Sequence, residues 1–168
     1  ACVRGHLNKS SSPLTFHHCS AGDSGGAALV EGSVQVDTDA GFADCSAAAG
    51  SGIFASKDVA LKAVTAVGAH KVPFEIVSSQ ASVSVDSLDC LKAPSCAVQG
   101  QAPDVGHLSC VRGAGRQQED SRVGCDPCPY NQTRLGPGST CCPCPTIPST
   151  MVACSNTEVQ LPSGFMAP

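Results

Sequence analysis

The sequence has little with which to build an aromatic core: no Trp, one Tyr and five Phe in 168 residues. Any core must therefore rest on Val, Leu, Ile and Ala, each of which buries less apolar area than a ring. Charge is also scarce, at 14% of residues with a net of −4 and an isoelectric point near 5.6. That balance excludes the basic surface needed to hold nucleic acid or an anionic membrane. No apolar stretch is long enough to span a bilayer. The chain starts at Ala1-Cys2-Val3 without a basic segment and apolar run, so it is expected to be a segment of a longer secreted protein. What fills the sequence instead is small: 17 Gly and 12 Pro among many Ala, Ser and Val, a profile of short strands and tight turns.

Twelve cysteines are too many for a compartment that keeps thiols reduced. They fit an extracellular location, where disulfides supplement a meagre core. Asn8-Lys9-Ser10 and Asn131-Gln132-Thr133 match the N-glycosylation acceptor pattern and point the same way.

Along the chain, Ala27-Ala28-Leu29-Val30, the turn signal Glu31-Gly32 and the alternating Ser33-Val34-Gln35-Val36 predict a hairpin. Gly52-Ile53-Phe54-Ala55 predicts another strand. A helix is expected over 58–67: Ser56 offers an N-cap and Asp58 a first-turn acid. Val59, Ala60, Ala63, Val64 and Val67 recur at helical spacing, and Gly68 can end the helix. The runs 72–77 and 81–85 look extended. Residues 86–124 give no readable regular structure. Cys125-Asp126-Pro127-Cys128-Pro129 then recurs sixteen residues later as Cys141-Cys142-Pro143-Cys144-Pro145, across the turn Gly136-Pro137-Gly138-Ser139.

One segment carries recognisable chemistry: Cys19-Ser20-Ala21-Gly22-Asp23-Ser24-Gly25-Gly26. A serine hydroxyl is a poor nucleophile unless a sharp turn exposes it beside a base and an oxyanion site. Gly22, Gly25 and Gly26 permit such a turn around Ser24, and the amides of Gly22 and Ser24 would converge on the oxyanion. Asp23 would support the turn. The segment resembles the nucleophile signature of the trypsin/chymotrypsin-like serine proteases, and the resemblance covers roughly residues 15–70. It implies a disulfide between Cys19 and Cys45, substrate contacts at His18, Asp39, Gly41 and Gly52, and a closing helix at 58–67. Only 23 residues precede Ser24, so the family's His and Asp, which come before the Ser in chain order, are not in this chain. His6, His17, His18, His70 and His107 are read as surface histidines.

The tail spacing Cys125-x2-Cys128-x12-Cys141-x2-Cys144 is also that of a four-cysteine zinc ribbon. Eight further cysteines and the two acceptor sites favour disulfides instead. The tail resembles the ephrin-receptor-like, epidermal-growth-factor-related repeats of extracellular proteins, which implies a structural or adhesive role and an extracellular protein partner.

The expected fold is thus all-β: a partial trypsin-like barrel with a C-terminal helix over 1–70, a linker or irregular segment over 71–124, and a small Cys-rich module over 125–168. The expected function is serine-type endopeptidase, acting on a protein or peptide by acyl transfer through Ser24, with this segment inactive alone. The alternative is a non-catalytic extracellular binding or adhesion protein. No cofactor, metal or nucleic-acid partner is expected.

Overall fold

The computed structural model describes residues 2–4, 6–9, 11–67, 73–93, 95–134, 139–144, 153–154 and 159–160. Every regular element among them is a strand. The first are β1 (Cys2–Arg4), β2 (Leu7–Lys9), β3 (Leu14–His17), β4 (Ala28–Glu31) and β5 (Val34–Ala43). They are followed by β6 (Ile53–Ala55), β7 (Val59–Val67), β8 (Phe74–Ser78), β9 (Val83–Leu91), β10 (Cys96–Gln99) and β11 (Pro103–Ser109). Next come β12 (Ala114–Glu119), β13 (Arg122–Pro127), β14 (Gln132–Thr133), β15 (Cys142–Pro143), β16 (Ala153–Cys154) and β17 (Val159–Gln160).

From β4 to β11 successive strands alternate between two sheets. One sheet runs β1-β4-β6-β8-β10-β13-β12; the other runs β11-β9-β7-β5-β2, with β3 on the far half of β5. Every pairing among β1–β11 is parallel. This is a β-solenoid-like winding: Val34, Val59, Val83 and Pro103 stand in one column, so one coil takes 20 to 25 residues, the repeat length of such architectures. A hairpin closes the far edge of the first sheet, where β13 pairs antiparallel with β10, and β12 with β13.

The core is a set of aliphatic columns. Ala28, Ile53, Ile76 and Val98 stack in the first sheet, and Val36, Leu61, Val85 and Val105 in the second. All eight are buried, each aliphatic side chain larger than Ala contributing about 1.5–3 kcal/mol. Phe42 joins the sheets, its ring 5.3 Å from Phe16 on the neighbouring strand and 5.2 Å from Phe74 across the core. Among the described residues three disulfides brace the last coil and the tail, Cys90–Cys96, Cys110–Cys125 and Cys128–Cys141. No helix among the described residues is long and apolar enough to cross a membrane.

The helix expected over 58–67 is absent: Val59–Val67 form β7, a central strand of the second sheet. The buried positions of β7 are Val59, Leu61, Val64 and Ala66, those of β5 Val34, Val36, Ala40 and Phe42, and those of β9 Val83, Val85, Leu88 and Cys90. A flat strand steps by two throughout. Here each strand takes one longer step, of three in β7 and β9 and four in β5, which turns two or three consecutive residues outward. Pairing is interrupted at the same place, between Val36 and Asp39, at Lys62, at Asp86 and at Gly106. The second sheet is therefore creased along a line crossing four coils. Gly106 stands on that line, where a Cβ would lie 2.8 Å from the Asp86 carbonyl oxygen.

The hairpin expected at 27–36 does not form either, because β4 and β5 belong to different sheets. The strands at 52–55, 72–77 and 81–85 are present as β6, β8 and the start of β9. Residues 74–127 continue the same two sheets rather than forming a linker or an irregular segment. Gly68, His70, Lys71, Val72, Gly136, Pro137, Gly138 and Pro145 lie outside the described residues.

Candidate functional site

The Gly-Asp-Ser-Gly-Gly segment is a corner between β3 and β4, and the next coil repeats it. Phe16-His17-His18-Cys19-Ser20 is followed 26 residues later by Phe42-Ala43-Asp44-Cys45-Ser46. Phe16 pairs with Phe42 and His17 with Ala43 in register, and isolated bridges join Ser20 to Ser46 and Ser24 to Ala49. His18 and Asp44 both adopt left-handed backbone, at φ 50° and 55°, as Gly25 and Gly50 do at 69° and 58°. Non-Gly residues adopt this conformation at a cost, and here the twin hydrogen bonds His18 N–H to Ala43 O (2.9 Å) and Asp44 N–H to Val67 O (3.2 Å) hold it.

The backbone of the segment is committed to the next coil. The Gly25 amide donates to Ala49 O at 3.1 Å, Gly26 to Gly50 O at 3.1 Å, and Ala49 in return to Asp23 O at 3.0 Å. The glycines are required by crowding as well: a Cβ on Gly26 would meet Ser51 O at 2.2 Å, and one on Gly25 would meet Ala28 O at 2.5 Å. Ser24 is half-buried and Asp23 and Gly22 are exposed. Among the described residues Ser24 Oγ has no hydrogen-bond partner, and neither do the amides of Gly22 and Ser24.

The remaining expected site residues divide between the sheets. His18 lies at the corner, exposed, its Nδ1 3.4 Å from Asp44 Oδ2. Asp39 and Gly41 lie on β5 beside Ala63 and Thr65. Gly52 is buried at the start of β6, where its amide donates to Glu75 O at 2.9 Å and a Cβ would strike the Phe74 ring. His6, His17, His18 and His107 are exposed, as expected.

The Ser–His contact that does form was not foreseen: Ser33 Oγ lies 2.6 Å from His6 Nδ1, which also accepts the Ser33 amide at 3.3 Å. These residues are 27 apart, about one coil, and only the winding brings them together. No carboxylate among the described residues pairs with His6, so the orienting acid of a triad is missing there.

Cys19 and Cys45 stack at the corner as free thiols. Burial pushes the Cys45 thiol up to about 11; hydrogen bonding to the Cys19 backbone opposes the rise, and the Cys19 side chain adds to it. A second sulfur group lies in the core, where the Sγ atoms of Cys90, Cys96 and Cys125 all fall within 4.8 Å of one another. These sulfurs are spent in disulfides, which are not metal ligands. In the tail Cys125 pairs with Cys110 and Cys128 with Cys141, so the four ribbon cysteines do not form one set. On the creased sheet, a depression of about 360 Å³ is lined in part by Asp37, Lys62, Ser84 and Asp86. Its charges alternate in sign and provide no single-sign field.

No known protein family, no curated protein and no solved structure matches the chain.

Proposed function

We propose that this chain is a non-catalytic extracellular scaffold, a disulfide-braced β-solenoid segment whose tail serves binding or adhesion. The observation that carries this reading is the corner repeat. Gly25 and Gly26 meet steric and hydrogen-bonding demands of coil stacking, and the next coil answers them with Ala49-Gly50-Ser51-Gly52, which lacks the nucleophile pattern. The motif thus has a sufficient structural cause. The three disulfides among the described residues support an oxidising, extracellular setting.

A second reading is a serine-type endopeptidase acting on a protein or peptide, its His and Asp supplied by sequence outside this chain. The unpartnered amides of Gly22 and Ser24, beside a half-buried serine, favour it. Exposure of the folded chain to a fluorophosphonate probe separates the two. The scaffold reading expects no label, and a Tm for Ser24→Ala within about 2 °C of the parent. Stoichiometric labelling that disappears in Ser24→Ala would overturn it.

A further inference from the structure

We propose that the two buried disulfides of the last coil form an exchange relay: reduction at Cys110 passes through Cys125 to the Cys90–Cys96 bridge and leaves a new Cys96–Cys125 bond. The sulfurs are already gathered for it. Cys125 Sγ lies within 4.8 Å of both Cys90 Sγ and Cys96 Sγ while bonded to Cys110. Cys96 is bonded to Cys90, but it is also the register partner of Cys125, directly opposite on the antiparallel β10–β13 pair. Opposed residues of such a pair stand about 4.5–5.5 Å apart at their α-carbons, inside the roughly 4.4–6.8 Å that a disulfide spans. Cys96 and Cys125 thus each have a second partner built into the sheet.

The exchange changes what the bonds tie together. Cys90 is on β9 and Cys110 just after β11, in the second sheet; Cys96 is on β10 and Cys125 on β13, in the first. Both existing bridges therefore run from one sheet to the other. A Cys96–Cys125 bond lies wholly within the first sheet. A single two-electron reduction therefore releases both of these ties between the sheets.

Accessibility sets the point of entry. Cys110 is 7% exposed, against 1% for Cys90 and 0% for Cys96 and Cys125. A small dithiol reductant reaches Cys110 first: its thiolate attacks Cys110 Sγ, forming a mixed disulfide and expelling the Cys125 thiolate. An unpaired thiolate is costly in so buried a place. It attacks Cys96 Sγ, forming the Cys96–Cys125 bond and expelling the Cys90 thiolate, which takes up a proton. The second thiol of the reductant then attacks the reductant's own sulfur in the mixed disulfide and releases Cys110 as a thiol. The dithiol leaves as a cyclic disulfide, and the protein has gained two electrons and two protons.

The test blocks the free thiols of the full folded chain with one maleimide, titrates a small dithiol and quenches with acid. A second maleimide of different mass is then added, and peptides are mapped without reduction. Second label on Cys90 and Cys110 in equal amount is expected, together with a linked Cys96–Cys125 peptide. A chain carrying both Cys110→Ser and Cys125→Ser lacks the relay. Its Cys90–Cys96 bridge should stay closed at the dithiol concentration that opens it in the parent chain, with circular dichroism checking that the strands are kept. Second label on Cys110 and Cys125 beside an intact Cys90–Cys96 bridge would overturn the proposal. So would label on Cys90 and Cys96 beside an intact Cys110–Cys125 bridge, a link from Cys125 to Cys90, or a folded double variant whose bridge opens as readily as the parent's.

Discussion

Gly25 and Gly50 are the same corner on successive coils: each follows the bridged pair Ser24–Ala49 by one residue, and both backbones are left-handed. Their surroundings match as well. A Cβ on Gly25 would approach Ala28 O to 2.5 Å, and one on Gly50 would approach Ile53 O to 2.7 Å. Ala28 and Ile53 are themselves register partners. A left-handed alanine costs about 1–2 kcal/mol before any clash. Gly25→Ala and Gly50→Ala should therefore each lose more than about 2 kcal/mol in urea unfolding. Equal, small losses for these variants and Ser24→Ala would remove the corner from its structural role.

The all-β class and the small aliphatic core were legible in composition, and the strands near 53, 74 and 83 in local pattern. The winding was not. In β7 the buried set Val59, Leu61, Val64, Ala66 contains one step of three at the crease. That step, with Ala60 and Ala63 as further apolar residues, imitates helical spacing. A window of ten residues cannot separate a creased strand from a short helix. The comparison that does so lies a coil away, where Val83, Val85, Leu88 and Cys90 repeat the 2-3-2 step. The same blindness affected the site. Read alone, Gly22–Gly26 is a nucleophile turn; set beside Phe42–Gly52 it is one copy of a repeated corner. The disulfide that the family resemblance implies between Cys19 and Cys45 is not formed, both being free thiols, and it is coil stacking that sets the two residues on successive corners.

Among the described residues Phe42 is the one ring that contacts aromatic neighbours both along a sheet and across the core. With so few aromatics in the sequence, no other ring can fill the space it leaves. Phe42→Ala should cost about 3–5 kcal/mol, and Phe42→Leu much less. Thermal or urea melts followed by circular dichroism measure both. A loss below about 1 kcal/mol for Phe42→Ala would mean the sheets are held together elsewhere.

Cys110 and Cys125 tie the residue just after β11 to β13, closing a separation of 15 residues. Arg134 adds a hydrogen bond to the Cys110 carbonyl at 2.8 Å, so the start of the tail is anchored at the same point. In the chain-entropy account a loop of that length is worth about 3 kcal/mol. Replacing both cysteines with serine should lower stability by about that amount. Amide exchange should also quicken first in β12 and β13, the hairpin that covers the edge of β10. Uniform exchange across all coils would show that the bridge braces the whole winding instead.

Arg122 and Asp126, on opposite ends of β13, form a two-pronged ion pair at 2.6 and 2.9 Å, and Ser95 Oγ donates to the same carboxylate at 2.7 Å. The hydrogen bonds from Arg122 hold the Asp126 carboxyl below its ordinary value of 3.8; burial opposes them, and Ser95 helps. The guanidinium is pushed up by the same contact. A carboxyl whose pKa is lower folded than unfolded adds stability above its unfolded pKa, and that stability is lost as pH falls through the folded value. Both side chains are less than a third exposed, so the pair is only partly screened and should be worth about 1 kcal/mol at pH 7. Asp126→Asn should lose that amount at neutral pH and converge with the parent chain at acid pH, once the folded carboxyl is protonated. A stability gap that stays constant from pH 7 to pH 2 would assign the effect to packing or to the Ser95 hydrogen bond rather than to charge.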